Sequence, residues 1–115
     1  MSLDLYTEYM KERSGVDVIV APERNGFVAV KCYKDRGEVF IVDLFVKKEA
    51  RGGNTYPLLV DEIIRQHPWA SFLTGTIYLE DNATAQHTLL AALKSGWEVV
   101  RAEGGAVHIL RKVVG

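Results

Sequence analysis

The sequence predicts an α/β protein, an α+β mixed sheet, and three observations carry that prediction. Three short apolar segments lie between residues 16 and 47, separated by turn signals and without a helical period. From Tyr56 onward the apolar residues recur at helical spacing, which places a helical crossover before the next strand. A second helical segment follows that strand and leads into two further strand-like runs. A strand–helix–strand unit returns in its starting direction, so the crossover makes two strands parallel while the hairpins keep their neighbours antiparallel. The predicted order is α-β-β-β-α-β-α-β-β in one domain over residues 1–115, with helices on both sides of the sheet.

Each element has its own signal. Residues 3–13 put Leu3, Tyr6, Tyr9 and Met10 on one face and Glu8, Lys11, Glu12 and Arg13 on the other, and Ser14-Gly15 ends this short amphipathic helix. Residues 16–21 are rich in Val and Ile, and the following turn contains Asn25-Gly26, the strongest part of its signal. Residues 27–33 and 38–47 form the next two strands, joined by a turn at Lys34-Asp35-Arg36-Gly37. The run 38–47 contains one interior acid, Asp43, and otherwise reads as a central strand covered on both faces. Tyr56, Leu59, Val60, Ile63, Ile64 and His67 mark the crossover helix, which Pro68 closes. Residues 72–79 are a strand. Asp81 or Asn82 caps a helix whose apolar face carries Ala85, Leu89, Ala92 and Leu93, and Lys94-Ser95-Gly96 stops it. Residues 97–102 and 106–113 close the chain as a hairpin around Glu103-Gly104-Gly105.

Composition narrows the function classes. Fourteen Lys and Arg against fifteen Asp and Glu give a net charge of −1, which supplies no basic footprint for duplex nucleic acid. No apolar run approaches the roughly 20 residues that span a bilayer, and the N-terminus lacks the order of a signal peptide, so the expected location is the cytoplasm. Cys32 is the single cysteine, set in an apolar segment and expected to be a buried thiol. His67, His87 and His108 are scattered without metal-ligand spacing and are read as structural or surface residues, so no metal is expected. Trp69 and Trp97 read as core or interface aromatics.

The segment from Leu44-Phe45-Val46 through Arg51-Gly52-Gly53-Asn54-Thr55-Tyr56-Pro57 resembles the central strand, loop and helix of the GNAT superfamily of N-acetyltransferases. The family loop has Arg or Gln, two residues of any kind, Gly, any residue, then Gly or Ala. Arg51 fits the first position, while Asn54 and Tyr56 stand at the two small-residue positions. Asp81-Asn82-Ala83-Thr84-Ala85, opening a helix that ends at Gly96-Trp97, resembles the family's second motif. The resemblance covers residues 16 to the end, lacks the family's usual first strand and one N-terminal helix, and extends faintly to small phage-encoded relatives.

Unpaired N–H groups at a helix N-terminus, at the positive end of the dipole, bind phosphates. Gly52 and Gly53 allow close backbone approach, Arg51 adds a cation, and Asn54 suits an N-cap and tolerates a left-handed conformation. Pro57 removes one amide at little cost in the first turn. An ordinary strand-to-helix turn is the competing reading of Arg51-Gly52-Gly53-Asn54.

What the resemblance implies is acetyl-CoA-dependent acyl transfer to an amine. Coenzyme A or acetyl-CoA would be held by Leu44, Phe45, Val46, Arg51, Gly52, Gly53, Asn54, Thr55, Tyr56, Asn82 and Ala85. Asp43 is the proposed base, on the expectation that it sits beside Ile41 and Phe45 where burial raises its pKa; a satisfied structural carboxylate is the alternative. The family's acid is a Tyr at the position of Ala92, and Tyr78 is the substitute nearest at hand. The bulky Tyr56 is expected to obstruct the loop. Tyr56 and Ala92 support a rival reading, a GNAT-fold binding or structural module without catalysis. A homodimer through a sheet edge or the C-terminal hairpin is expected in either case.

Overall fold

The computed structural model describes residues 3–79 and 83–113. Its elements are α1 (Leu3–Ser14), β1 (Asp17–Val20), β2 (Gly26–Tyr33), β3 (Glu38–Val46), α2 (Thr55–Gln66), β4 (Phe72–Tyr78), α3 (Ala83–Lys94), β5 (Glu98–Glu103) and β6 (Ala106–Lys112). Short 3₁₀ turns occupy Lys34–Arg36 and Lys48–Ala50. This is the order that the sequence predicts, and the six strands form one mixed sheet in the order β1-β2-β3-β4-β6-β5. The β3–β4 pair is parallel, as the α2 crossover requires, and the remaining pairs are antiparallel.

The core lies between one face of the sheet and helices α2 and α3. Val28, Val30, Val39 and Leu73 from the strands meet Leu59, Val60 and Ile63 of α2, all essentially without exposure, and Ala92 of α3 joins them with Trp97, Val107 and Ile109. Leu59, Val60 and Ile63 are spaced so that a 3.6-residue period brings them to one face. The two helices thus share a face, and α1 packs against the edge strand β1. No helix among the described residues is long and apolar enough to cross a membrane.

Local chemistry sets the ends of the elements. Helix α3 finishes in a Schellman motif: the Trp97 amide donates to the Ala92 carbonyl (3.0 Å) and the Gly96 amide to Leu93 (3.4 Å), with Gly96 left-handed at φ +94°. That cap turns Trp97 into the core beside Ala92. The turn between β1 and β2 differs from expectation. Its left-handed residue is Arg24 (φ +56°), not part of Asn25-Gly26, and Gly26 is already the buried first residue of β2. A Cβ at Gly26 would stand 2.7 Å from the Phe45 carbonyl oxygen, so the glycine is required by close strand approach.

Strand β3 also departs from prediction. Ala29 pairs with Asp43 and Val30 with Ile41, leaving Val42 as an extra residue, a β-bulge that shifts the alternation by one. Ile41 faces the core before the bulge, and Leu44 and Val46 face it afterwards. Asp43 therefore lies on the opposite face from Ile41, and Val42, Asp43 and Phe45 are exposed in a strand expected to be covered on both faces.

Candidate functional site

The bulge sits where the sheet parts. Strands β3 and β4 pair from Glu38↔Phe72 to Ile41↔Gly75 and no further, although β3 follows β2 to Val46 and β4 follows β6 to Tyr78. Bulges bend the strand that carries them and strengthen its twist, which turns the end of β3 away from β4. Main-chain groups along the facing edges of residues 42–46 and 76–78 are left without a strand partner in this gap. The gap opens into a cleft of about 620 Å³, lined by Asp43, Leu44, Thr76, Tyr78 and Trp97 and, from the helices, by Tyr56, Ala85, Thr88 and Ala92.

The loop from β3 to α2 rises beside the cleft. Lys48–Ala50 makes one 3₁₀ turn, and Arg51 leaves it in extended conformation. Arg51 donates from Nε to the Val46 carbonyl (3.0 Å), with its guanidinium 6.0 Å from the Phe45 ring centre, so one of its five donors is used within the protein. Lys47, Lys48 and Arg51 are exposed around the single acid Glu49. Gly52 adopts φ +85°, and a Cβ there would meet no atom within 4 Å; the left-handed position is Gly52, while Asn54 has φ −99°. Asn54 is the N-cap residue of α2, as expected, yet its side chain makes no capping bond. The first-turn amides of Thr55 and Tyr56 are thereby left to an external acceptor, and Pro57 has none to offer. Thr55 itself is buried against Gly26.

Asp43 is exposed, not buried as expected; its Oδ1 accepts the amide of Leu44 at 2.9 Å, at the mouth of the cleft. Tyr78 lines the same mouth and is 66% exposed. Tyr56 does not obstruct the loop. Its ring packs against the core and lines the cleft beside Ala92. Burial pushes its phenol up, against smaller opposing effects of Arg111 and of the Trp97 indole. That indole N–H is fully buried and reaches no oxygen in hydrogen-bond geometry, so its influence on Tyr56 is one of proximity. The structure thus brings Asp43, Leu44, Tyr56, Tyr78 and Ala85 around one cleft, with Phe45 and Val46 at the base of the loop. Asn82 and Asp81 lie outside the described residues.

Sequence reasoning passed over one polar group here. Thr76 borders the cleft and also a pocket on the other sheet face, where its hydroxyl is 3.0 Å from Nδ1 of the half-buried His108. Their register position, Thr76 opposite His108, links β4 and β6 and has no local sequence signal.

No protein-family model matches the sequence, and no curated protein matches it. Solved structures do. The PaiA N-acetyltransferase of Thermoplasma acidophilum, in complex with coenzyme A, superposes with a TM-score of 0.68 at 17% identity, over 96% of this chain and 70% of that one. The microcin C7 self-immunity acetyltransferase, in complex with acetyl-CoA and AMP, gives 0.68 at 8% identity over 96% and 68%. A GNAT-family acetyltransferase of Staphylococcus aureus Mu50 gives 0.67 at 13% identity over 91% and 74%. At such identities the likeness establishes architecture: the chain has the GNAT fold.

Proposed function

We propose that the chain is an acetyl-CoA-dependent N-acetyltransferase. The observation that carries this reading is the combination of two features: the β3–β4 cleft and the uncapped N-terminus of α2, reached through Gly52 and preceded by the exposed Lys47, Lys48 and Arg51. Acyl-acceptor chemistry needs a place for an acyl group among main-chain donors and a phosphate site at its end, and these residues fit both. Acetyl-CoA supplies the activated acyl group as a thioester. Gly52, Gly53 and Asn54, the amides of Thr55 and Tyr56, and the Arg51 guanidinium would hold its pyrophosphate, while Leu44, Phe45 and Val46 offer the strand edge and Ala85 the opposite wall.

Asp43, exposed at the mouth, would take a proton from an incoming amine. Tyr56 is a better candidate acid than Tyr78. It lines the cleft together with Ala92, the position that lacks the family's tyrosine, and burial pushes its phenol up. An amine is the acceptor class this reading implies. The rival, a GNAT-fold binding module without catalysis, draws on Ala92 and on the exposure of Asp43.

Calorimetric titration with acetyl-CoA and with coenzyme A tests the proposal. Micromolar binding that weakens at least tenfold in Arg51→Ala supports it. Absence of binding at millimolar cofactor overturns it and leaves the module reading.

A further inference from the structure

The sequence gives Asp17, Cys32 and His67 no common motif, yet the fold gathers them. Asp17 lies opposite Val30 in the β1–β2 ladder, so Cys32, two residues along β2, projects from the same face. His67 follows the last turn of α2, which packs on that face, and it is 7% exposed. One carboxylate oxygen of Asp17, the Cys32 sulfur and a ring nitrogen of His67 all lie within 4.8 Å of one another. None of the three lines the acyl-transfer cleft.

The His67 ring is held by the main chain. Its Nδ1 is 2.6 Å from the Ile63 carbonyl oxygen, which can only accept, so Nδ1 carries the hydrogen and Nε2 keeps the lone pair. A ring nitrogen held by a backbone carbonyl is the usual outer support of a metal-binding histidine. Trp69 packs edge-on to the ring, 5.7 Å between centres, and restricts its rotation.

We propose that Asp17, Cys32 and His67 form a site for a divalent cation of the zinc class. Sulfur, imidazole nitrogen and carboxylate oxygen are the donor types that Zn²⁺ takes, at about 2.0–2.3 Å. Tetrahedral ligation at those lengths sets donor atoms about 3.5 Å apart, so the group closes by roughly an ångström, with the half-exposed Asp17 free to move. The Cys32 thiol gives its proton to solvent as the sulfur binds. One thiolate, one carboxylate and one neutral imidazole then balance the two positive charges, a sum suited to a half-buried place. Lys11, 3.7 Å from Asp17 and largely exposed, returns to solvent. No fourth ligating side chain among the described residues joins the group, so the remaining position takes water or an external ligand.

Cobalt(II) titration of the chelator-treated, reduced protein is the test. The expected result is one equivalent bound, with a thiolate-to-cobalt charge-transfer band, tetrahedral d–d bands, and displacement of both by Zn²⁺. Cys32→Ser removes the charge-transfer band, and Asp17→Asn, at a half-exposed position that should not disturb folding, weakens binding about tenfold or more. His67→Gln, checked by circular dichroism, does the same. Absence of the charge-transfer band at excess cobalt overturns the proposal, as does a wild-type affinity in Asp17→Asn.

Discussion

Gly26→Ala puts one methyl group where three elements meet. The new Cβ would lie 2.7 Å from the Phe45 carbonyl oxygen, 3.3 Å from the Val46 Cα and 3.2 Å from the Thr55 methyl. Two of these atoms are backbone and cannot swing aside. Hydrogen bonds from Lys47 N–H to the Asn25 carbonyl (2.8 Å) and from Ala21 N–H to the Gly26 carbonyl (2.9 Å) pin the same region. Overpacking of this kind costs about 1–3 kcal/mol. With an unfolding entropy of about 2.1 cal/mol/K per residue, a chain of 115 residues has ~0.24 kcal/mol/K, so the melting temperature is expected to fall by about 4–12 °C. Because Phe45 and Thr55 flank the loop, coenzyme A binding is expected to weaken too. Gly15→Ala is the control: φ is +66° with nothing within 4 Å of a Cβ, so only the backbone term of about 1 kcal/mol applies. Thermal melts of both variants by circular dichroism decide the matter. A Gly26→Ala protein that melts within about 1 °C of wild type would refute the argument that close approach fixes this glycine.

Two further predictions concern chemistry and pH. Tyr56→Phe keeps the ring in the core and removes only the hydroxyl. If that phenol is the acid, kcat falls by about 10²–10⁴-fold while acetyl-CoA affinity stays within a few-fold. In parallel Asp43→Asn is expected to lower kcat by a similar factor; wild-type kinetics in either variant would remove that residue from the mechanism. Glu62 accepts hydrogen bonds from Arg65, with Nε at 2.8 Å, and from Gln66 at 2.8 Å, and these hold its carboxyl well below the usual range, at about 2. A depressed carboxyl pKa stabilises above its unfolded value, so this contribution is present above about pH 4.5 and is lost as pH falls toward about 2. Carbon-detected NMR titration reads it directly, and Arg65→Gln is expected to move the Glu62 midpoint back up; an unmoved midpoint would discard the pairing as its cause.

Where the sequence was sufficient, the signals were local. The helical period of Tyr56, Leu59, Val60 and Ile63, the Gly96-Trp97 stop and the Glu103-Gly104-Gly105 hairpin each specify structure within a few residues, and each is present. The resemblance in the Arg51–Tyr56 loop led to the right fold. What the sequence did not disclose depends on register. The bulge at Val42 is a property of the β2–β3 ladder, and it reverses the side on which Asp43 emerges relative to Ile41. Tyr56 reads as an obstruction from the loop alone, while in the fold its ring packs on the core and lines the cleft with Ala92. Asp17, Cys32 and His67 come from three elements and share no spacing, so only the folded chain brings them together.

The end of pairing at Ile41↔Gly75 makes the sheet a pair of three-stranded leaves, β1-β2-β3 and β4-β6-β5, joined by a seam of four residue pairs. Past the seam each leaf holds its own shape through its own ladders, with α2 packed on the first leaf and α3 on the second. A bound molecule that takes main-chain bonds from both leaves would stand in for the missing ladder and lengthen the seam. Ligand binding at this place and cohesion between the halves of the sheet are then one property, and whatever loosens the seam weakens the grip on the ligand by the same physical cause.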